Sequence, residues 1–306
     1  MNKKMTQLIA TSLLCAMLAS CGGTTPPGGG TGGTGNGGNG NGNGGNGGGT
    51  SSVPADLLGI WQAGEASPIG YYDPNSGAWQ GATGSSFILK LHADGTYQYT
   101  GLLAVGSGSC QSKILSTESG RVTFDSAKMT FTPSQGDVQS TVCNGPVKHE
   151  PVTPSVRRWA LSVDDYGKEA LFTQLEDGSG APDAFYRTDK PARTYPKIGI
   201  RGSVTAPQGQ SVAGTLIVAC YVEDPTCASP ATKLQAVTGS GTDGTFSFPA
   251  LEDRAYALSA IQDLNHNGKV DSGDLVDVYS TTDAPGARPS VRPPAENAHL
   301  DLVQVK

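Results

Sequence analysis

Short stretches in which apolar and polar residues alternate recur along most of the chain. Phe87, Leu89 and Leu91 alternate with Lys90 and His92, and this period of two places the apolar side chains on one face of a β-strand. Similar stretches in the first half of the chain predict strands at 86–92, 96–102, 121–124, 128–132, 158–163, 169–174 and 184–187. Short strands separated by turns predict that residues 54–190 form a small antiparallel barrel or sandwich.

A second series of strands follows the segment 188–196, which contains two prolines and which we interpret as a linker. Strands are predicted at 198–205, 213–222, 245–248, 255–261, 275–280 and 298–305. The region resembles the prealbumin-like β-sandwich of carboxypeptidase regulatory-like and starch-binding-like modules, most specifically from Gly244 to Leu258. The resemblance implies an accessory β-sandwich over residues 197–306, a kind of domain that in some proteins binds carbohydrate. We therefore expect an all-β protein.

The N-terminus has the parts of an export signal. Lys3 and Lys4 give a positive start, residues 8–18 form an apolar stretch too short to span a bilayer, and small residues precede Cys21. This order resembles the lipobox of bacterial lipoproteins. The resemblance implies that residues 1–20 are a signal peptide and that Cys21 is acylated. Several acyl chains would attach the protein stably to membrane lipid, where one chain would be marginal.

Residues 21–53 comprise this cysteine and a stretch made mainly of Gly, Asn, Thr, Pro and Ser. Such a chain cannot bury enough apolar area to offset the entropy cost of ordering it, so we expect a disordered tether. Its root-mean-square reach would be roughly 30 Å. The chain has 21 Lys and Arg against 27 Asp and Glu, a net charge of −6. This balance argues against nucleic acid as a partner, because phosphate binding needs a basic surface.

The folded part opens with Gly59, Ile60 and Trp61, just before the predicted strands. This motif resembles the Gly-x-Trp start of lipocalin-like barrels, in which the tryptophan closes one end. The resemblance implies that Arg187, at the end of the last predicted strand of this domain, packs on the indole in a cation–π contact.

Aromatic residues are concentrated near the start of this domain, beside amides and carboxylates. A surface of this composition is typical of sugar binding, whereas large aromatics also fill the cores of small barrels, and both interpretations remain open. The candidate ligand contacts are Trp61, Tyr71, Tyr72 and Trp79.

Four cysteines follow the tether, two in each predicted domain. In an exported protein, two cysteines in one β domain most often form a disulfide, and no Cys-x-x-Cys spacing indicates a reactive thiol pair. We therefore predict disulfides between Cys110 and Cys143 and between Cys220 and Cys227.

The segment 263–274 has the spacing of a 12-residue calcium-binding loop. Oxygen-bearing side chains occupy positions 1, 3, 5, 9 and 12, and Gly268 stands at position 6, where the loop bends sharply. The predicted ligands are Asp263, Asn265, Asn267, Asp271 and Asp274, together with the backbone carbonyl of Lys269. Aspartate at position 12 resembles dockerin-type loops. The flanking strands indicate that calcium would have a structural role, although Asp, Asn and Gly are also ordinary turn formers.

No catalytic motif is present in the sequence. It contains no Gly-x-Ser-x-Gly, no His-Glu-x-x-His and no phosphate-binding Gly-x-x-x-x-Gly-Lys, and its four histidines are scattered. We expect a non-enzymatic, lipid-anchored protein of the bacterial cell envelope, at the outer membrane or cell surface, that acts as a structural or interaction module. The alternatives are a surface lipoprotein that binds a glycan and a small-ligand carrier that uses the first β domain.

Overall fold

The structure is a computed structural model that describes residues 53–64, 72–73, 78–79, 84–107, 110–143, 145–280 and 289–306. The predicted signal peptide, Cys21 and the predicted tether as far as residue 52 lie outside the described residues. In the described part of the chain nearly every regular element is a β-strand, which confirms the predicted all-β fold. A search of the same residues finds no helix with the length and apolar character needed to cross a membrane.

The first domain begins with a 3-10 helix, Ala55–Leu57, and continues as strands. The strands are β1 (Gly59–Gly64), β2 (Tyr72–Asp73), β3 (Ala78–Trp79), β4 (Gly84–Leu91), β5 (Thr96–Ser107), β6 (Cys110–Phe124), β7 (Lys128–Thr141), β8 (Lys148–Glu150), β9 (Ser155–Val163), β10 (Glu169–Leu175) and β11 (Asp183–Arg187).

Eight of these strands form a closed antiparallel barrel. Each barrel strand pairs with the next along the chain in the order β1, β4, β5, β6, β7, β9, β10 and β11, and β11 returns to β1 through the pair of Trp61 with Arg187. The hairpin of β2 and β3 stands apart, while β8 pairs with the second half of β7, beyond the part that pairs with β9. Closure gives every barrel strand two hydrogen-bonded neighbours and so removes free sheet edges.

Alternation along the strands places one face of each strand inside the barrel. Phe87, Leu89 and Leu91 of β4 are all buried, as their period of two predicts. They share one core with Tyr97 of β5 and Met129 of β7. The apolar positions inside the barrel can therefore be predicted from the sequence.

One end of the barrel is closed by Trp61, which is fully buried. Its indole Nε1 donates a hydrogen bond of 2.8 Å to the carbonyl of Leu57 in the 3-10 helix. The guanidinium of Arg187 lies over the indole ring, 4.3 Å from its centre, as the sequence predicts. The same guanidinium donates to the backbone carbonyls of Asp56 and Leu58. The helix, the tryptophan and the last strand of the barrel are thus joined at one point.

Glycine is required two residues before this tryptophan. Gly59 has a φ of +129°, and a Cβ at this position would lie 2.3 Å from the carboxylate Oδ2 of Asp189 and 2.7 Å from an Nη of Arg187. Both the backbone conformation and the close approach of the guanidinium exclude a larger side chain.

The second domain contains two facing sheets. Its strands are β12 (Ile198–Thr205), β13 (Leu216–Tyr221), β14 (Lys233–Ala236), β15 (Asp243–Leu251), β16 (Tyr256–Gln262), β17 (Leu275–Val278), β18 (Ala295–Asp301) and β19 (Val303–Gln304). One sheet has the order β15-β12-β18, with β12 and β18 parallel, and the other has the order β14-β13-β16-β17-β19. Buried side chains from both sheets, including Ile200, Phe248 and Leu258, form one core.

The two domains contact each other through the outer face of β9 and β10. The hydroxyl of Tyr221 lies 2.9 Å from that of Ser162, and both residues are buried. Nearby, the ammonium of Lys233 donates a hydrogen bond of 2.8 Å to the carbonyl of Val163. The same ammonium lies 5.1 Å from the centre of the Phe172 ring. The barrel wall is therefore shielded from solvent where it meets the sandwich.

Several strands depart from the sequence prediction. Strand β7 extends to Thr141 instead of ending at residue 132, and β1 and β8 were not among the predicted strands. Strand β6 begins at Cys110, well before the predicted start at residue 121, because its inward positions include the polar Ser116 and Glu118, which disrupt the apolar alternation. Strand β14 was not predicted. It lies at the edge of its sheet and leaves Leu234 65% exposed, so it has no apolar face directed to the core.

Candidate functional site

A cavity of about 300 Å³ lies inside the barrel. Its apolar wall comes from β4, β7 and β11, and its polar wall from β5, β6, β9 and β10. The apolar lining includes Leu89, Met129, Phe131, Val138 and Phe185, and the polar lining includes Tyr99, Ser116, Glu118, Arg157 and Thr173. Small-molecule sites are concave and combine apolar walls with polar groups that orient the ligand, and this cavity has a larger polar share than most.

The connection between β8 and β9 forms one side of the cavity. Residues 150–153 and Ser155 line it where β7 changes its partner from β9 to β8. Glu150 is exposed at this position and places a carboxylate at the rim. Because β7 changes its partner at this point, the cavity is bordered here by a short connection and not by a continuous strand.

An ion pair inside the barrel joins two of the last strands. An Nη of Arg157 donates a hydrogen bond of 2.5 Å to the carboxylate of Asp183, and each side chain is about one-quarter exposed. Burial raises the pKa of Asp183, and the adjacent guanidinium lowers it again in part. The two opposite charges neutralise each other within the barrel.

Beside this ion pair, two buried polar atoms find no hydrogen-bond partner among the residues that the structure describes. They are Nε of Arg157 and the hydroxyl of Thr173, and both residues line the cavity. Buried polar groups are nearly always hydrogen-bonded, and leaving one unpaired costs about 1–3 kcal/mol. Both atoms are covered by neighbouring protein atoms, so they lie behind the surface of the cavity.

Glu118 is the third charged side chain of the cavity wall. Burial raises its pKa, while the nearby hydroxyl of Tyr97 acts in the opposite direction. Burial also raises the pKa values of Tyr97 and Tyr99, and the carboxylate of Glu118 adds to both shifts. Among the described residues, Glu118 has no cationic partner within ion-pair distance, so its charge is not neutralised inside the barrel.

Of the aromatic residues that the sequence indicated as ligand contacts, Trp61 is the one whose side chain the structure describes. Trp61 is fully buried against Arg187 and offers no open ring face. Tyr72 and Trp79 face each other as register partners in the β2–β3 hairpin, and Tyr71 lies outside the described residues. Sequence reasoning did not identify Glu118, Arg157, Thr173 and Asp183. The signal that could have found them is a polar residue at a strand position whose neighbours two residues away face the interior.

Both predicted disulfides are present. Cys110 and Cys143 connect the start of β6 with the segment that follows β7, and Cys220 and Cys227 connect β13 with the loop after it. Each bond lies within one domain, so each constrains a local connection.

The calcium-type loop joins β16 and β17 as the long connection of a hairpin. The pair of Gln262 with Leu275 closes the hairpin and brings the two ends of the loop together. Asp274 is 1% exposed, and its carboxylate accepts hydrogen bonds from the backbone N–H groups of Leu264 at 3.0 Å and Asp271 at 2.9 Å. The last predicted ligand is thus held in a defined position by backbone N–H groups at the second and ninth positions of the loop.

The other side chains of the loop converge on Asp271. The amide nitrogens of Asn265 and Asn267 donate to its two carboxylate oxygens at 2.8 and 2.6 Å. At the start of the loop, Asp263 accepts from the backbone N–H of Gly268 at 2.7 Å, and this hydrogen bond is the main cause of its lowered pKa. The amide groups of Asn265 and Asn267 therefore surround the carboxylate of Asp271.

The donor set fits calcium, which prefers six to eight oxygen ligands from carboxylates, amides and backbone carbonyls. In the described part of the chain no three side chains among His, Cys, Asp and Glu are close enough to hold a metal ion unaided. A cation in this loop would therefore need the oxygens of Asn265, Asn267 and Lys269 in addition to the carboxylates.

Comparison with known proteins gives no relative: no protein-family model, no curated protein and no solved structure matches the chain significantly.

Proposed function

We propose that this chain is a lipid-anchored protein of the bacterial envelope whose barrel binds a small amphipathic molecule. The observation that carries the proposal is the cavity of about 300 Å³ in the barrel, lined by apolar side chains together with the polar residues Glu118, Arg157 and Thr173. A purely structural barrel of this size would fill its interior with side chains. The small-ligand carrier is thereby favoured over a structural module or a glycan-binding protein.

Features of the closed end support a lipocalin-like barrel. They are the Gly-x-Trp motif, the 3-10 helix before it, the Arg187–Trp61 contact and the eight-stranded meander. In this arrangement one end is sealed by the tryptophan, so a ligand enters from the opposite side. The fold alone does not assign the ligand, which must be inferred from the lining.

The remaining parts of the chain would attach the barrel to a membrane surface and stabilise the second domain. Acylated Cys21 and the Gly/Asn tether would hold the two β domains at a lipid surface while leaving the barrel free to move. We infer that the sandwich is a prealbumin-like accessory domain and that calcium, bound by the loop at 263–274, stabilises its longest hairpin. No catalytic residue is assigned.

Calorimetric titration with a neutral amphipath tests the proposal. The full chain carrying Cys21→Ser is used, because the unacylated protein needs no detergent that would compete for the cavity. We expect 4-phenylbutan-1-ol to bind with one-to-one stoichiometry. Ser116→Phe, which fills the cavity from β6, should abolish the binding.

The matched control is Thr117→Phe, the next residue of the same strand, which is exposed on the opposite face. This variant should bind as the parent chain does. Thermal unfolding of both variants checks that the barrel is folded. Absence of binding to the parent chain, or equal binding by the two phenylalanine variants, would contradict a ligand site in the barrel.

A further inference from the structure

The charges that face the cavity do not balance. Arg157 and Asp183 neutralise each other at 2.5 Å, which leaves Glu118 as the unpaired charge of the wall. Glu150 adds a second carboxylate at the rim. Arg187 does not offset them, because its guanidinium is engaged at the closed end by Trp61 and by two backbone carbonyls.

Aromatic rings surround the same part of the interior. Tyr99, the register partner of Glu118 on β5, stacks with Phe87 at a ring-centre distance of 6.4 Å. Phe131 makes an edge contact of 4.8 Å with Tyr97. Aromatic faces beside an unpaired carboxylate attract organic cations, because the ring quadrupole and the anion act in the same direction.

An unpaired carboxylate in a partly buried site is costly to the protein alone. A charge removed from water needs a counter-charge or several hydrogen bonds, and Glu118 has only the contact with Tyr97. The raised pKa of Glu118 reflects this cost. A ligand that supplies a positive charge would offset the free-energy cost of burying the carboxylate. This offset would contribute to the binding affinity.

We propose that the barrel selects a small organic amine, whose protonated nitrogen pairs with Glu118 while its apolar body lies against Phe131 and Phe185. This inference rests on the proposed ligand-binding function and adds the chemical class of the ligand. The net charge of −6 of the chain also favours the approach of cations.

Three isosteric probes test the proposal: 4-phenylbutylamine, 4-phenylbutan-1-ol and 4-phenylbutanoate. Their dissociation constants are measured by calorimetry at neutral pH with the full chain carrying Cys21→Ser. We expect the amine to bind about ten- to a hundredfold more tightly than the alcohol, the range of a charge-assisted hydrogen bond. Glu118→Gln, which keeps the size of the side chain, should reduce this ratio to about one.

Glu150→Gln is the matched control, because it removes one carboxylate at the exposed rim of the same cavity. The amine preference should persist in this variant. Tighter binding of the carboxylate than of the amine would assign the anchoring role to Arg157 and overturn the proposal. Equal binding of amine and alcohol would also overturn it but would leave the ligand site standing, whereas failure of all three probes would overturn the ligand site itself.

Discussion

The guanidinium of Arg187 lies 4.3 Å above the ring of Trp61, and the two residues are also register partners in the strands that close the barrel. A single contact therefore joins the first and the last strand of the barrel and covers one of its ends. Because Arg187 is buried and bonded to two carbonyls of the N-terminal segment, its loss would release both the helix and the strand pair.

Arg187→Ala should reduce the free energy of unfolding of the first domain by about 2–4 kcal/mol. The loss combines a cation–π contact with charge-assisted hydrogen bonds to backbone carbonyls that are left unpaired. Urea unfolding followed by tryptophan fluorescence measures it. Arg121→Ala, at an exposed arginine of β6, should change stability by less than about 0.5 kcal/mol. Similar values for the two variants would contradict the role of Arg187.

Tyr221→Phe should weaken the contact between the domains by about 1–2 kcal/mol. The hydroxyl donates 2.6 Å to the carboxylate of Glu252 and lies 2.9 Å from the hydroxyl of Ser162, and its removal leaves both partners unsatisfied. The shift in the thermal unfolding midpoint checks this expectation. Tyr166→Phe, at a tyrosine that is 74% exposed, is the control and should have no effect.

The two disulfides should contribute unequally to stability. The bond between Cys110 and Cys143 spans 33 residues and the bond between Cys220 and Cys227 spans 7. On the chain-entropy model, the longer loop gives about 3.7 kcal/mol and the shorter about 2.4 kcal/mol. Urea unfolding of the two double Cys→Ser variants compares them. A larger loss in the variant without the Cys220–Cys227 bond would show that strain or residual structure outweighs loop length.

Calcium at 10 mM should raise the thermal unfolding midpoint of the second domain. With a dissociation constant of about 0.3 mM, within the range of extracellular loops, the stabilisation would be about 2 kcal/mol. Asp263→Asn removes a carboxylate and should abolish the calcium-dependent shift. Asp301→Asn, an exposed aspartate of β18, should retain it. An unchanged midpoint in the parent protein would remove the calcium assignment.

Metabolic labelling with a palmitate analogue tests the lipid anchor. In a bacterial host we expect the parent chain to incorporate label and to sediment with membranes. Cys21→Ser should lose both properties, because the thiol that carries the lipid is absent. Cys15→Ser changes a cysteine inside the predicted signal peptide and should retain both. Label retained by the Cys21 variant would place the modification elsewhere.

The strand positions could largely be predicted, because side-chain alternation is a local property of extended backbone. The alternation of Phe87, Leu89 and Leu91 predicted β4, and the segment 198–205 coincides with β12. The calcium-type loop was equally visible, since its candidate ligands lie within twelve consecutive residues. The pairing of Trp61 with Arg187 was predicted only through a family resemblance, since the two residues are far apart in the chain.

By itself, the sequence determined the all-β class, the two cysteine pairs and the hairpin that holds the acidic loop. The tertiary structure alone decided that Glu118, Arg157 and Thr173 line one cavity and that Glu118 has no counter-charge there among the described residues. The physical reason is that a polar residue in a strand faces either solvent or the interior, and the strand's own pattern does not say which. That choice is made when the sheet closes, through pairings between strands that are distant in the chain.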